Sequence, residues 1–302
     1  MLDGIIAAHL TLFKEDEDID YKEMEKYFDF LRQKGVNGIF ACGTTSEGLL
    51  LSTKEREEIF KISKSVVGSD VKVIANCSSL RIEETKTLIH SAKKAGDDAI
   101  AILPPLYYKV SEREMINYFS KVISFASNIP VYIYNIPSLA INAVNINIIS
   151  ELLRKFDNFF GMKDSSGDFG AITKFIELKQ DFQRFEIAVG FDRAFLACLI
   201  SGVNGTVSGP AAVFPELFVK VYELFKSGKI KKACKIQKKL VKISSSVGEG
   251  YSIPILKEAL KLRGFGNGNV RLPLIQTNKE NFKQIVAKDE EEIEKIFSSP
   301  RK

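Results

Sequence analysis

The sequence contains no tryptophan, only two histidines and only four cysteines. With His9 and His90 alone, a histidine-rich metal site is excluded, and serine–histidine–acid chemistry would have to rest on one of two residues. His90 sits in Leu88-Ile89-His90-Ser91-Ala92-Lys93, a helical-looking stretch, and reads as a surface or helix-packing residue. Cys42, Cys77, Cys198 and Cys234 show no C-x-x-C spacing, so buried free thiols are expected rather than a zinc site or a disulfide framework. No apolar run reaches the roughly 18 residues that a membrane helix needs. The opening Met1-Leu2-Asp3-Gly4-Ile5 lacks a basic leader region and a small-residue cleavage site, so no signal peptide and a cytoplasmic location are expected.

Neither charge sign dominates. There are 43 basic and 38 acidic residues, a formal net charge of +5. The densest basic run, residues 229–242, interleaves its lysines with Ile230, Ala233, Ile236, Leu240 and Val241. That spacing describes a helix with an apolar stripe and a solvated lysine face, not a nucleic-acid-binding surface.

Short apolar runs alternate with longer amphipathic stretches along most of the 302 residues. The spacing predicts strands over 5–9, 38–42, 71–76, 99–103, 131–134, 159–163, 186–189 and 205–208. Helices are predicted between most of them, over 21–34, 53–67, 82–95, 112–126 and 145–156. Ser52-Thr53-Lys54-Glu55 and Ser111-Glu112-Arg113-Glu114 carry capping-box patterns, and Gly35 and Gly96 mark helix ends. The strand runs are continuously apolar, as suits parallel strands buried on both faces. Eight such units filling roughly 200–250 residues predict an α/β fold, a (β/α)8 TIM barrel, with an open doubly wound sheet as the structural alternative. No G-x-G-x-x-G follows the first strand, which argues against a dinucleotide-binding sheet. Beyond Pro215 the strand signal disappears, and 215–227, 230–247, 253–263 and 279–297 read as helices around a Gly- and Asn-rich loop at 264–273. The expected division is a catalytic barrel over 1–225 and a C-terminal helical extension over 226–302.

In such barrels chemistry sits at the C-terminal ends of the strands. The second strand ends in Cys42-Gly43-Thr44-Thr45-Ser46-Glu47-Gly48, which reads either as an anion-binding loop or as a Gly-rich turn capping the next helix. The fifth ends in Tyr132-Ile133-Tyr134-Asn135-Ile136-Pro137, where alternation points both tyrosines the same way, toward the barrel interior or toward the helices. The sixth, Phe159-Phe160-Gly161-Met162-Lys163-Asp164, closes an apolar run with a lysine. A buried ammonium is costly, and the neutral amine is the nucleophile that attacks a ketone. The bland alternative is a lysine exposed just past the strand end or paired with Asp164. The seventh strand ends in Gly190-Phe191-Asp192, and the eighth carries Thr206, Val207 and Ser208 among glycines that allow a ligand close approach.

Taken together, Gly43-Thr44-Thr45-Ser46-Glu47, Tyr134-Asn135-Ile136-Pro137 and Gly161-Met162-Lys163-Asp164, in that order, resemble the dihydrodipicolinate synthase / N-acetylneuraminate lyase family over nearly the whole chain. The resemblance implies a Schiff base between Lys163 and the keto group of pyruvate, and proton relay by Tyr134. It implies carboxylate binding by Thr44 and Thr45. Tyr107 resembles the family tyrosine that reaches across a subunit interface, with Tyr107 and Thr45 passing the proton onward. Gly190 and Val207 fall where backbone groups line the family's pocket, and Thr206 and Ser208 are candidates for binding substrate hydroxyls. A homotetramer, a dimer of dimers, is implied, with no metal or organic cofactor beyond the covalent Schiff base.

Ser46 replaces a usual glycine and Leu12 a usual proline, and His9 sits near the barrel mouth. More telling is Leu139, where the family's dihydrodipicolinate synthases carry an arginine that clamps the carboxylate of the aldehyde substrate. Its loss favours a neutral polyhydroxy aldehyde such as glyceraldehyde. The expected activity is therefore a class I, pyruvate-dependent aldolase of carbohydrate metabolism, cleaving a 2-keto-3-deoxy sugar acid such as 2-keto-3-deoxygluconate. Alternatives are an N-acetylneuraminate lyase-like enzyme, a dihydrodipicolinate synthase, or a non-enzymatic keto-acid sensor.

Overall fold

The structure, a computed structural model, describes residues 2–250 and 252–277. Eight strands close into a barrel in sequence order: β1 (Gly4–Ala8), β2 (Gly38–Ala41), β3 (Lys72–Asn76), β4 (Ala99–Ile102), β5 (Val131–Asn135), β6 (Phe159–Asp164), β7 (Glu186–Val189) and β8 (Gly205–Ser208). All pairings are parallel, and β8 returns to β1, so the sheet has no open edge. Every expected strand is present, with its ends within one residue of the sequence reading.

Around the barrel run α1 (Tyr21–Gln33), α2 (Thr53–Val67), α3 (Ile82–Ala95), α4 (Glu112–Ala126), α5 (Pro137–Ala140), α6 (Ile146–Lys155), α7 (Phe169–Asp181), α8 (Phe195–Ser201) and α9 (Pro215–Lys226). The C-terminal region adds α10 (Ile230–Ser246) and α11 (Ile253–Leu262). The helix expected over 279–297 lies outside the described residues. Both capping boxes form: Ser52 and Ser111 each accept from the backbone of a glutamate three residues on, which answers with its own side chain. Gly96 caps α3 in the left-handed conformation at φ +81°, which a side chain rarely adopts. The sequence pattern did not mark α5, α7 and α8. The first and last are too short to show a period. On α7 only Ile172, Phe175 and Leu178 are buried.

Continuous apolar strands give two cores, as expected of parallel strands covered on both faces. Ile39, Val73, Ile100, Ile133 and Met162 pack outward against the helices. Ile6, Phe40, Ile74, Tyr132, Tyr134 and Val207 fill the barrel interior.

One irregularity decides which way β6 presents its lysine. Val131 pairs with Phe159, but Tyr132 pairs with Gly161, so Phe160 is an extra residue. Beyond this bulge Tyr134 sits beside Lys163, and both face inward. With no bulge, the strict alternation of a strand would turn Met162 inward and Lys163 toward the helices. Gly161 permits the bulge, because a Cβ there would lie 1.8 Å from the Glu186 carbonyl oxygen on β7.

Candidate active site

A cavity of about 110 Å³ opens where the strands end. It brings together Lys163, Tyr134, Thr44, Thr45, Gly190, Val207 and Ser208 from β2, β5, β6, β7, β8 and the segments that follow them. Their sequence separations are large, and the barrel closes them onto one mouth.

Lys163 is 5% exposed. Its Nζ lies 3.8 Å from the centre of the Tyr134 ring and 4.6 Å from that of Phe40, whose rings meet edge-on at 5.4 Å. The amine therefore faces aromatic surface at the cavity floor. It is neither exposed nor paired with its neighbour in sequence. The Asp164 carboxylate accepts instead from Asn135 Nδ2 at 2.7 Å and from the backbone and hydroxyl of Ser166. Burial raises the Asp164 carboxyl above the usual range, against the pull of these donors. Gly190 keeps the wall open beside the lysine, since a Cβ there would lie 2.2 Å from Ser165 Oγ and 3.4 Å from Lys163 Cε.

The loop after β2 is not the cap of the next helix, because Ser52 caps α2. It is a turn in which Glu47 N–H donates to the Thr44 carbonyl at 3.0 Å and Gly48 N–H to the Gly43 carbonyl at 3.0 Å. Several groups pin it from below. Ser46 Oγ donates to the His9 carbonyl at 2.7 Å, and Thr11 Oγ1 donates to the Ser46 carbonyl at 2.7 Å. Ser46 thus adds a tether that glycine could not. Cys42 N–H donates to His9 Nε2 at 3.1 Å, so His9 carries its hydrogen on Nδ1, toward the Leu10 carbonyl. Complete burial lowers the His9 pKa to about 4. The imidazole is a neutral strut, not a residue of the cavity wall.

Pinned this way, the loop presents Thr44 to the site. Thr44 Oγ1 and the Tyr134 hydroxyl lie 3.1 Å apart. The expected relay through Thr45 is corrected, because Thr45 Oγ1 donates to the Ala8 carbonyl at 2.8 Å. Thr206 is corrected as well. It is fully buried, off the cavity wall, and donates to the Val189 carbonyl at 2.7 Å. Strand alternation puts Val207 on the cavity and its neighbour Thr206 behind it. Tyr107 does not join the cavity of its own chain. It is 80% exposed, with φ +69°, and stands edge-on to Tyr108 at 5.0 Å.

Two polar side chains on the wall, Asp192 and Ser165, carry no role in the sequence reading. Asp192, in the turn after β7, is 7% exposed and accepts from Ser208 Oγ at 3.0 Å and from Ser244 Oγ of α10 at 3.2 Å. Ser165 faces Gly190. The only signal for Asp192 was an acid two residues after a strand-end glycine, too common a pattern to weigh alone. Leu139, on α5, is 60% exposed and lines the same cavity. Among the described residues no group of three or more His, Cys, Asp or Glu could hold a metal ion, and no helix is long and apolar enough to cross a membrane.

Comparison with known proteins bears on this arrangement. A model of the dihydrodipicolinate synthetase family matches residues 1–291. A DapA-like lyase of Pyrococcus horikoshii, itself uncharacterised, is 32% identical over 287 residues, covering 94% of this chain and 98% of the relative. A 4-hydroxy-tetrahydrodipicolinate synthase of Methanoculleus marisnigri is 32% identical over 288 residues, covering 94% and 97%. Among solved structures, a catalytic-lysine mutant of the Ruminococcus gnavus sialic acid aldolase superposes with a TM-score of 0.91 at 27% identity, covering 98% of each chain. Sequence match, closed barrel and strand-end cavity agree: the chain belongs to the dihydrodipicolinate synthetase family, a family of carbon–carbon lyases.

Proposed function

We propose that the protein is a class I aldolase that reversibly cleaves a 2-keto-3-deoxy sugar acid, such as 2-keto-3-deoxygluconate, to pyruvate and an aldehyde such as glyceraldehyde. The observation that carries this reading is the buried Lys163 amine beside Tyr134, whose hydroxyl meets Thr44 at 3.1 Å.

The Lys163 amine adds to the C2 ketone, and loss of water leaves an iminium. Tyr134 takes the proton of the C4 hydroxyl as the C3–C4 bond breaks, and the bonding pair flows into the iminium to give an enamine. The aldehyde departs. Protonation at C3 and hydrolysis release pyruvate and restore the amine. Thr44 shares the proton held by Tyr134, and the amides of the Thr44-Thr45 turn hold the C1 carboxylate. The iminium is the electron sink, so the chemistry needs neither metal nor organic cofactor.

The choice of aldehyde rests on the cavity rim. An apolar Leu139 offers no clamp for a second carboxylate. Asp192 and Ser208 offer acceptors and donors for hydroxyl groups. A dihydrodipicolinate synthase is the second reading, favoured by the name of the Methanoculleus relative. We further propose a homotetramer, a dimer of dimers, in which the exposed Tyr107 reaches a neighbouring subunit's site.

Borohydride reduction with pyruvate, followed by mass spectrometry, tests the reading. A reduced pyruvyl adduct on Lys163 is expected, and none in Lys163→Ala. An unmodified wild-type protein would sink the aldolase. Offering pyruvate with glyceraldehyde or with aspartate semialdehyde then separates the two substrate readings.

A further inference from the structure

A buried ion pair outside the cavity ties the C-terminal region to the Thr44 loop. Lys257 of α11 is 2% exposed, and its ammonium contacts the Glu47 carboxylate, itself buried. The same ammonium donates to the Asn269 carbonyl at 2.8 Å and lies 4.0 Å from the centre of the Phe13 ring. Glu47 Oε2 accepts from the Arg271 backbone N–H at 2.8 Å. Arg271 reaches past it to the Glu55 carboxylate at the start of α2. Neither Glu47 nor Lys257 lines the Lys163 cavity.

What this pair holds is the conformation of the catalytic loop. Glu47 has φ +57°, a left-handed backbone that a glutamate adopts only when its surroundings impose it. From that position its N–H donates to the Thr44 carbonyl. The next residue must be glycine, because a Cβ on Gly48 would lie 2.0 Å from the Cys42 carbonyl oxygen. An unbroken path therefore runs from Lys257 through the Glu47 carboxylate and backbone to Thr44, and from Thr44 Oγ1 to the Tyr134 hydroxyl. A buried ion pair adds little net stability over apolar residues of the same shape, but it selects one geometry.

We propose that Lys257 is a positioning residue for the lyase reaction: by holding Glu47 it sets the Thr44 hydroxyl against Tyr134. The role rests on the aldolase reading above. It makes the C-terminal region part of the site's support, although α11 contributes no side chain to the cavity. Burial lowers the Lys257 pKa to about 8 while the Glu47 carboxylate works to raise it, as befits a charge kept inside by its partner.

Three variants test the role. Lys257→Met keeps the length of the side chain and removes its charge. Glu47→Gln/Lys257→Met removes both charges, so no lone ion is buried if the single variant fails to fold. Lys257→Arg keeps the charge. Each is measured for melting temperature, adduct yield with pyruvate and borohydride, kcat and KM for cleavage of 2-keto-3-deoxygluconate, and amide exchange over residues 43–48. The double variant is expected to melt close to wild type, to retain the Lys163 adduct, to exchange its loop amides faster, and to lose kcat by roughly ten- to a hundredfold. Lys257→Arg is expected to recover most of that loss. A double variant with wild-type kcat and wild-type loop exchange would overturn the proposal. Absence of an adduct in the wild type would remove the aldolase reading instead, and the exchange measurement would still decide whether Lys257 holds the loop.

Discussion

The Thr44 hydroxyl stands 3.1 Å from the Tyr134 hydroxyl, joining the loop after β2 to the end of β5. The Tyr134 ring also lies 3.8 Å from Lys163 Nζ, so one side chain touches both the amine and a proton-sharing partner. The two contacts use different parts of the tyrosine. Its ring packs, and its oxygen hydrogen-bonds to Thr44.

That separation makes Tyr134→Phe informative. The ring contacts with Lys163 and Phe40 remain, so the fold and the melting temperature should hold. Loss of the phenol oxygen should lower kcat by roughly 10²–10⁴. Thr44→Val should cost less, and the double variant little more than Tyr134→Phe alone, because the two act as a unit. Steady-state kinetics in a double-mutant cycle check this, and fully additive losses would show that the hydroxyls work independently.

Leu139 is 60% exposed on the cavity rim, so Leu139→Arg can be accommodated at little cost to folding. The new guanidinium should raise kcat/KM with aspartate semialdehyde and lower it with glyceraldehyde, an expected relative change of about tenfold or more. An unchanged preference would mean that this position does not select the aldehyde.

His9 couples the loop to pH. Its pKa falls from about 6.5 in the unfolded chain to about 4 in the fold, because burial penalises the charged ring. Between those values the unfolded chain binds more protons, so stability declines as pH falls. The contribution is fully present above pH 6.5 and is lost as pH drops toward 4, amounting to roughly 3 kcal/mol. Urea titrations from pH 7 to pH 4 should show a shallower decline in His9→Gln than in wild type. Parallel curves would place the acid sensitivity elsewhere.

Asp97, between α3 and β4, is 6% exposed, and neither carboxylate oxygen has a hydrogen-bond partner among the described residues. Burial raises its pKa to about 8. Here the folded state binds more protons between pH 4 and 8, so stability is lost as pH rises through that range. Asp97→Asn cannot ionise and should raise the melting temperature more at pH 9 than at pH 5. A gain of equal size at both would show that charge is not the cause.

Several parts of this molecule were legible from residue order. Continuous apolar runs placed all eight strands, because a parallel strand covered on both faces tolerates few polar side chains. Serine followed by glutamate three residues on marked two helix starts, because both halves of a capping box lie within one turn. Helices α7 and α8 were not legible in this way, α7 because few of its positions are buried and α8 because it is too short for a period to show. Of the site, Lys163, Tyr134 and the Thr44-Thr45 loop could be named as candidates because their motifs sit at strand ends.

The sequence by itself determined the strands, the turns and the residue types available at each strand end, since these depend on interactions within a few residues. Only the tertiary structure decided which of them meet. The bulge at Phe160 turns Lys163 inward, and it depends on the backbones of β5 and β7 lying on either side of Gly161. The choice of Thr44 over Thr45 beside Tyr134 depends on ties to His9, Thr11 and Lys257, which come from the segment just after the first strand and from the eleventh helix. Such ties cross tens to hundreds of residues. No local period encodes them, because they exist only once the barrel has closed.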